Sequence, residues 1–411
     1  MKVGRNFTLL HMSIFMLYIV PHIFLYQAGL YYGKLAVEVK YDAVFFQNCV
    51  LALIFMAVFA GAVKTAGIKR NVIRNNIISL SRKRWFLQLV ILLTAFSYSL
   101  LALGIGVKNS DVSANAIILL IPREFLVVAA TMIAFETRRK TWIALVMLHF
   151  LYWVLVGSKS SLLFPAIALV YYYVLTGRRV TKREVIGGAF GIIILVASYF
   201  LPLTIRLYQA YGSEFASLYA ETLAHIFLVS MLFRRISWFD GMFVTPEQFN
   251  RLESITSLDL VYGALSRLLP GLQSSAPPTG QIVVPLYHAN NSENFAGGIG
   301  MPGTMSMMIA NQGLMGLLGC LIIIFLTLLM IFSMIRSRDA LLSIVGISAL
   351  VLCFKSLFIG GNIDIALGKV LVLLISASVW FLCARSIAKA LAVQTCRSER
   401  LRSKTAAPPL S

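Results

Sequence analysis

The sequence predicts an all-α polytopic membrane protein with about ten transmembrane helices, both termini in the cytoplasm and one large extracytoplasmic loop. Three observations carry that prediction. The 411 residues are 59% hydrophobic and only 13% charged, with a mean hydropathy of +0.84; soluble domains carry about 25% charge. The apolar residues fall largely into runs near the roughly 20 residues that cross a bilayer. The 36 Lys and Arg, set against 16 Asp and Glu, cluster between alternate runs, as the positive-inside rule requires. This composition excludes a soluble enzyme, a disordered chain and a disulfide-rich secreted domain.

The elements follow in order. The first run, 7–30, comes after Lys2 and Arg5. It is too long for a signal peptide and no small-x-small cleavage site follows it, so it reads as a retained first span. Further spans are predicted at 43–63, 85–107, 115–135, 141–156, 161–177, 185–205, 313–335, 341–359 and 365–384. The short pair 141–156 and 161–177 flanks Gly157-Ser158-Lys159-Ser160 and reads as a tight hairpin of two spans, with a bent re-entrant pair as the alternative. The chain thus divides into spans one to seven (1–205), the large loop (206–312), spans eight to ten (313–384) and a basic cytoplasmic tail (385–411). From Val393 the tail is polar, carries Pro408-Pro409 and is expected to be disordered.

Orientation follows from the basic clusters. Lys64, Lys69, Arg70, Arg74, Arg82, Lys83 and Arg84 follow the second span; Arg138, Arg139 and Lys140 the fourth; Arg178, Arg179, Lys182 and Arg183 the sixth; Arg336 and Arg338 the eighth. With ten spans these all fall on the side of both termini, which is the cytoplasm. Most acids, including Glu214, Glu221, Asp240, Glu247, Glu253 and Asp259, fall on the other side with the large loop. A loop of that size in an otherwise minimal membrane protein is the expected seat of function.

Several chemistries are excluded. No basic stripe with interleaved aromatics occurs, so nucleic acid is not an expected partner. Cys49, Cys320, Cys353, Cys383 and Cys396 form no CxxC and no zinc spacing, and most sit in or beside apolar runs as small hydrophobes. There is no P-loop, HExxH, nucleophile elbow or Asp-rich motif, which argues against an ATPase or protease. The scarcity of clustered carboxylates points to a reaction that uses no metal and no cofactor.

Within the loop, 213–235 reads as a helix, with Ser213 as N-cap and Arg234 and Arg235 in its last turn. Glu221 and His225 share a face of it. Its apolar centre places it on the bilayer or against the bundle. A short helix follows Thr245-Pro246, and another is expected at 258–269, ended by Pro270-Gly271. Gly297-Gly298-Ile299-Gly300-Met301-Pro302-Gly303 reads either as a flexible segment that brings backbone N–H groups to an anion or as ordinary punctuation before a span.

Basic residues kept on the extracytoplasmic side against the positive-inside bias are candidates to hold an anion. Arg206, Arg234, Arg235, Arg267 and Lys159 are such residues, since guanidinium groups suit bidentate phosphate or carboxylate binding. The alternative for each is a salt bridge to a loop acid or a snorkelling side chain. Lys159, between Ser158 and Ser160, either joins those hydroxyls around a phosphate or marks an interfacial turn. Arg123 and Glu124 follow Pro122, about 12 Å into the fourth span. An ionisable residue at such depth is a functional-site hypothesis, with structural pairing or substrate contact as its two readings. His288, in a polar stretch of the loop, is a candidate general base. His11, His22, His149 and His225 lie on apolar faces and suit packing.

Four segments in order carry a family resemblance. They are Val156-Gly157-Ser158-Lys159-Ser160, Arg235-Ile236-Ser237-Trp238-Phe239-Asp240, Leu265-Ser266-Arg267-Leu268-Leu269-Pro270 and Asn311-Gln312-Gly313-Leu314-Met315-Gly316. Together with the topology they make the chain resemble a Wzy-type O-antigen (oligosaccharide repeat-unit) polymerase. Two segments depart from that family: Lys159 stands where its Gly-Ser-Arg-Ser turn has Arg, and Arg267 precedes its proline rather than following one.

The resemblance implies a GT-C-like membrane glycosyltransferase in the bacterial inner membrane, with its active face in the periplasm. It implies transfer of a growing glycan from undecaprenyl diphosphate to the non-reducing end of a new undecaprenyl-diphosphate-linked repeat unit. The acceptor hydroxyl attacks the anomeric carbon, the C1–O bond breaks, and undecaprenyl diphosphate leaves as an anion. On that reading Arg235, Arg267, Arg206 and Lys159 bind diphosphate, with Arg123 and Arg234 as further contacts. Asp240, Glu221 or His288 takes the hydroxyl proton. Expected partners are lipid-linked oligosaccharides, the bilayer, a chain-length regulator and a flippase. Two rival readings remain: an O-antigen ligase, which shares the topology and differs in acceptor, and a polysaccharide flippase or transporter. Against the transporter stand the lack of an internal repeat and the one-sided loop.

Overall fold

Buried positions spaced by three and four define the first long helix. In α1 (Ala43–Ala66) they are Phe45, Asn48, Leu51, Ala52, Phe55, Met56, Phe59, Ala62, Val63 and Ala66. The other face exposes Phe46, Val50 and Leu53, the pattern of a helix with one stripe on a bundle and apolar residues all round. The computed structural model describes residues 6, 8–13, 16, 43–103, 121–156, 163–182, 184, 187, 212–213, 256–266, 300–359 and 362–405, with backbone alone at 355, 358, 359 and from 388 onward. Every regular element among these residues is helical.

The connection expected at 64–84 contains a helix of its own. In α2 (Arg70–Ser81) a stripe of Ile73, Asn76, Ile77 and Leu80 is buried, and Asn76 Nδ2 donates to the Ser337 carbonyl at 2.9 Å. Seven basic residues and a polar outer face hide this stripe from a search for apolar runs. α3 (Arg84–Ala102) follows. α4 (Arg123–Thr137) opens directly after Pro122, and ten successive residues from Phe125 to Ala134 are buried, so it is a central helix. Arg138 closes it in the left-handed region, with φ 54°.

α5 (Lys140–Leu155) and α6 (Phe164–Thr176) are two separate helices, with the Trp153 and Phe164 rings 6.2 Å apart; the residues that join them at 157–162 lie outside the described residues. Gly177 ends α6 with φ 66°. Beyond it Thr181 and Glu184 form a capping box: the Thr181 N–H donates to Glu184 at 2.8 Å and the Glu184 N–H to the Thr181 hydroxyl at 3.3 Å. That signature opens a helix where the span at 185–205 is predicted; most of that span lies outside the described residues.

In the large loop, α7 (Ser257–Ser266) matches the helix expected at 258–269 as far as it is described. It is capped by Thr256, whose N–H and hydroxyl reach Asp259 at 2.8 and 2.7 Å. α8 (Gly300–Arg336) begins thirteen residues before the span predicted at 313–335. It breaks at Gly313, with φ 57° and ψ −145°. Gly300 to Gly303 form its first turn and are buried, which corrects the flexible reading of that stretch. Residues 301–308 are buried throughout, and Ser306 Oγ donates to Asn48 Oδ1 of α1 at 2.7 Å. Across the break the backbone doubles closely on itself: a Cβ on Gly316 would sit 2.3 Å from the Met308 carbonyl oxygen.

α9 (Ala340–Cys353) is capped by Asp339, which accepts from the N–H groups of Leu341 and Leu342 at 2.8 and 3.1 Å. It continues through a π turn at Phe354–Ile359. α10 (Ile363–Thr405) runs past the predicted span end at 384, so the expected disorder of the tail is replaced by helix as far as Thr405. Among the described residues four helices, α1, α3, α8 and the part Ile363–Ile387 of α10, are long and apolar enough to cross a membrane; α5, α6 and α9 are shorter and apolar. The first predicted span is described only in fragments.

Candidate functional site

An aromatic cluster joins α3, α4, α5 and α10. Phe86 near the start of α3 stacks on Trp142 near the start of α5 at 5.9 Å and meets Phe381 of α10 at 6.0 Å. Arg385 of α10 pairs with Asp339 at 3.4 Å. Phe125, in the first turn of α4, meets the same cluster, 6.2 Å from the Phe86 ring and 4.9 Å from the Phe381 ring.

Arg123 is the predicted site residue that lies among the described residues. It is the first residue of α4 and is 7% exposed. Its Nη1 donates to the Tyr152 hydroxyl of α5, and its guanidinium carbon lies 5.4 Å from the centroid of that ring. Among the described residues no carboxylate pairs with it. Glu124 is its chain neighbour and only half-buried, and adjacent helix residues point apart. Taking a guanidinium out of water costs several kcal/mol. A phenol and a cation–π contact return about 2 kcal/mol, so an anion has electrostatic room beside Arg123.

Tyr152 is held in turn. Its ring meets Tyr98 at 5.6 Å and Trp153 at 5.3 Å, and the Tyr98 hydroxyl donates to the Leu148 carbonyl at 2.6 Å. Trp153 Nε1 is buried without a hydrogen-bond partner among the described residues. One turn below, His149 is 3.3 Å from the Thr94 hydroxyl and buried, a packed role as expected. His11 likewise meets Tyr171 at 3.2 Å. A tyrosine between Leu151 and Trp153 in an apolar run reads as core in sequence, so nothing local marks Tyr152 as a site residue.

The second feature is the anchored loop helix. The N–H and hydroxyl of Ser257 both donate to Gln312 Oε1, at 3.1 and 3.2 Å, one residue before the break in α8. A Cβ on Gly319 would sit 2.4 Å from Ser257 Oγ, and one on Gly263 would sit 3.3 Å from Asp364 Cβ in the first turn of α10. Asp364 is 2% exposed. The helix thus bridges the break in α8 to the start of α10. Arg267 follows it by one residue in sequence. Asp240, Glu221, His288, Arg235, Arg267, Arg206, Arg234 and Lys159 lie outside the described residues. Among the described residues no three metal-ligating side chains gather.

No family model, curated protein or solved structure matches the chain.

Proposed function

We propose that the chain is a membrane glycosyltransferase that joins undecaprenyl-diphosphate-linked oligosaccharide repeat units into a surface polysaccharide at the periplasmic face of the inner membrane. The observation that carries this reading is Arg123: a buried guanidinium at the start of α4 with the Tyr152 phenol for company. A diphosphate suits that position, because its charge offsets the desolvation of the guanidinium and its developing charge is stabilised as the C1–O bond breaks. The anchoring of α7 supports the same reading, since it fixes the helix after which Arg267 follows. The four ordered segments and the one-sided loop support it from the sequence.

In this account Arg123, Arg235, Arg267, Arg206, Arg234 and Lys159 hold diphosphate or glycan, and Asp240, Glu221 or His288 accepts the proton of the attacking hydroxyl. The test is complementation of a bacterial strain that lacks its repeat-unit polymerase and makes the matching repeat unit. Wild type is expected to restore a ladder of long surface glycans. Arg267→Ala and Arg235→Ala, expressed at equal levels, are expected to lose it. Single repeats capped on the core with wild type present would overturn the reading.

A further inference from the structure

The basic end of the bundle holds more guanidinium charge than its carboxylates can neutralise, and it holds it in a fixed frame. Glu136 of α4, with a side chain 6% exposed, accepts from Arg74 Nε of α2 at 2.9 Å and from the Tyr172 hydroxyl of α6. Arg178 donates to the Phe135 carbonyl at 3.0 Å, to the Tyr172 hydroxyl at 3.3 Å and to Glu184 at 2.8 Å. Glu184 also takes the Thr181 N–H at 2.8 Å and faces Arg138 at 3.6 Å. Both acids are therefore fully engaged.

Arg70 is the group left over. Its guanidinium lies flat on Gly177: a Cβ there would be 2.5 Å from its Cζ and 2.6 Å from its Nε and Nη1. Among the described residues it has no carboxylate partner, and its Nε is buried without a hydrogen bond. Arg138 meanwhile has a side chain 71% exposed. Four arginines on three connected elements thus surround two carboxylates, with Arg139 and Lys140 exposed beside them.

We propose that this cluster is a binding site for the headgroup of an anionic phospholipid of the cytoplasmic leaflet. It stands independently of the glycosyltransferase reading. Three features favour a lipid phosphate over a free anion. The cluster sits at the ends of apolar helices, where headgroups lie. α2 turns an apolar stripe inward and Asn71, Arg74, Asn75 and Ser79 outward, an amphipathic form that suits an interface. Basic pockets on the cytoplasmic side attract anionic headgroups, each Lys or Arg strengthening binding by about fivefold. The two carboxylates hold Arg74, Arg138 and Arg178, and packing on Gly177 holds Arg70, so little side-chain ordering is left to the binding step.

The experiment is native mass spectrometry of the delipidated full-length protein, titrated with phosphatidylglycerol or with phosphatidylcholine of the same acyl chains. Inorganic phosphate serves as competitor. Phosphatidylglycerol is expected to bind at least about fivefold more tightly. Arg70→Gln is expected to reduce that preference about fivefold, and Arg138→Gln, whose exposed side chain makes a folding defect unnecessary, to reduce it in the same direction. Arg385→Gln, at the same end but paired with Asp339, is expected to keep it. Equal binding of the two lipids, wild-type preference in Arg138→Gln, an equal loss in Arg385→Gln, or full competition by millimolar phosphate would each overturn the proposal.

Discussion

Ser257 and Gln312 are joined by two hydrogen bonds to one oxygen, at 3.1 and 3.2 Å, although 55 residues separate them in the chain. The pair ties a loop helix to the residue that precedes the break in α8. Everything the account asks of the loop depends on that helix keeping its place against the break in α8 and the start of α10.

Gln312→Ala removes the acceptor and leaves the Ser257 donors to water. The loss is about 1 kcal/mol for each neutral hydrogen bond, concentrated in local opening of α7. Amide exchange over 257–266 is expected to speed up by about fivefold or more, while exchange in α4 and α9 stays at the wild-type rate. Unchanged exchange in α7 would show that packing on Asp364 suffices to hold it.

Gly313 occupies φ 57° and ψ −145°, a backbone region that essentially only glycine adopts. Gly313→Ala is expected to destabilise the detergent-solubilised protein by about 1–3 kcal/mol, read as a lower Tm. Gly316→Ala is expected to cost at least as much, because its Cβ would meet the Met308 carbonyl. A wild-type Tm for both would contradict the break in α8.

The carboxylate of Glu184 is held below its ordinary range of about 4.5, first by the N–H of Thr181 and further by its hydroxyl and by Arg178, against a smaller opposing effect of burial. A depressed folded-state pKa contributes stability above the unfolded value and loses it as pH falls through the folded one. The stability difference between wild type and Glu184→Gln is therefore expected to be constant above pH 5 and to shrink below about 4.5. Thermal unfolding of both proteins from pH 7 to pH 3 checks the sign.

Arg123→Ala and Arg123→Lys separate charge from shape. If Arg123 holds a diphosphate, alanine is expected to cut polymer formation at least about a hundredfold, the scale of losing one charge-stabilising donor. Lysine is expected to recover only part of it, because a point charge replaces a fork. Tyr152→Phe removes the hydroxyl but keeps the ring under the guanidinium, and is expected to cost about tenfold or less. Equal activity in Arg123→Ala and wild type would reduce the residue to a packing role.

Much of the bundle was legible because apolar periodicity and basic clusters are local signals: α1, α3, α5, α6, α9 and the start of α10 lie where the runs predict. α2 was not, since its buried stripe of Ile73, Ile77 and Leu80 is spread through a cationic segment. The helical stretch 300–312 was hidden by Gly300, Pro302 and Gly303, which read as punctuation yet lie in a buried first turn. Of the candidate site, Arg123 was legible because charge in a span is rare. Tyr152, Gln312 and Asp364 were not, because their roles rest on partners 29, 55 and about 100 residues away.

The central claim is glycan polymerisation on a lipid carrier. Its most direct measurement uses the purified protein in liposomes, supplied with a radiolabelled undecaprenyl-diphosphate-linked repeat unit of matching structure. The account predicts lipid-linked products that grow by whole repeat units, with one undecaprenyl diphosphate released for each new linkage, and no growth with Arg267→Ala. A labelled pool that stays at one repeat unit with the folded wild-type protein, while a known polymerase extends the same substrate, would contradict it.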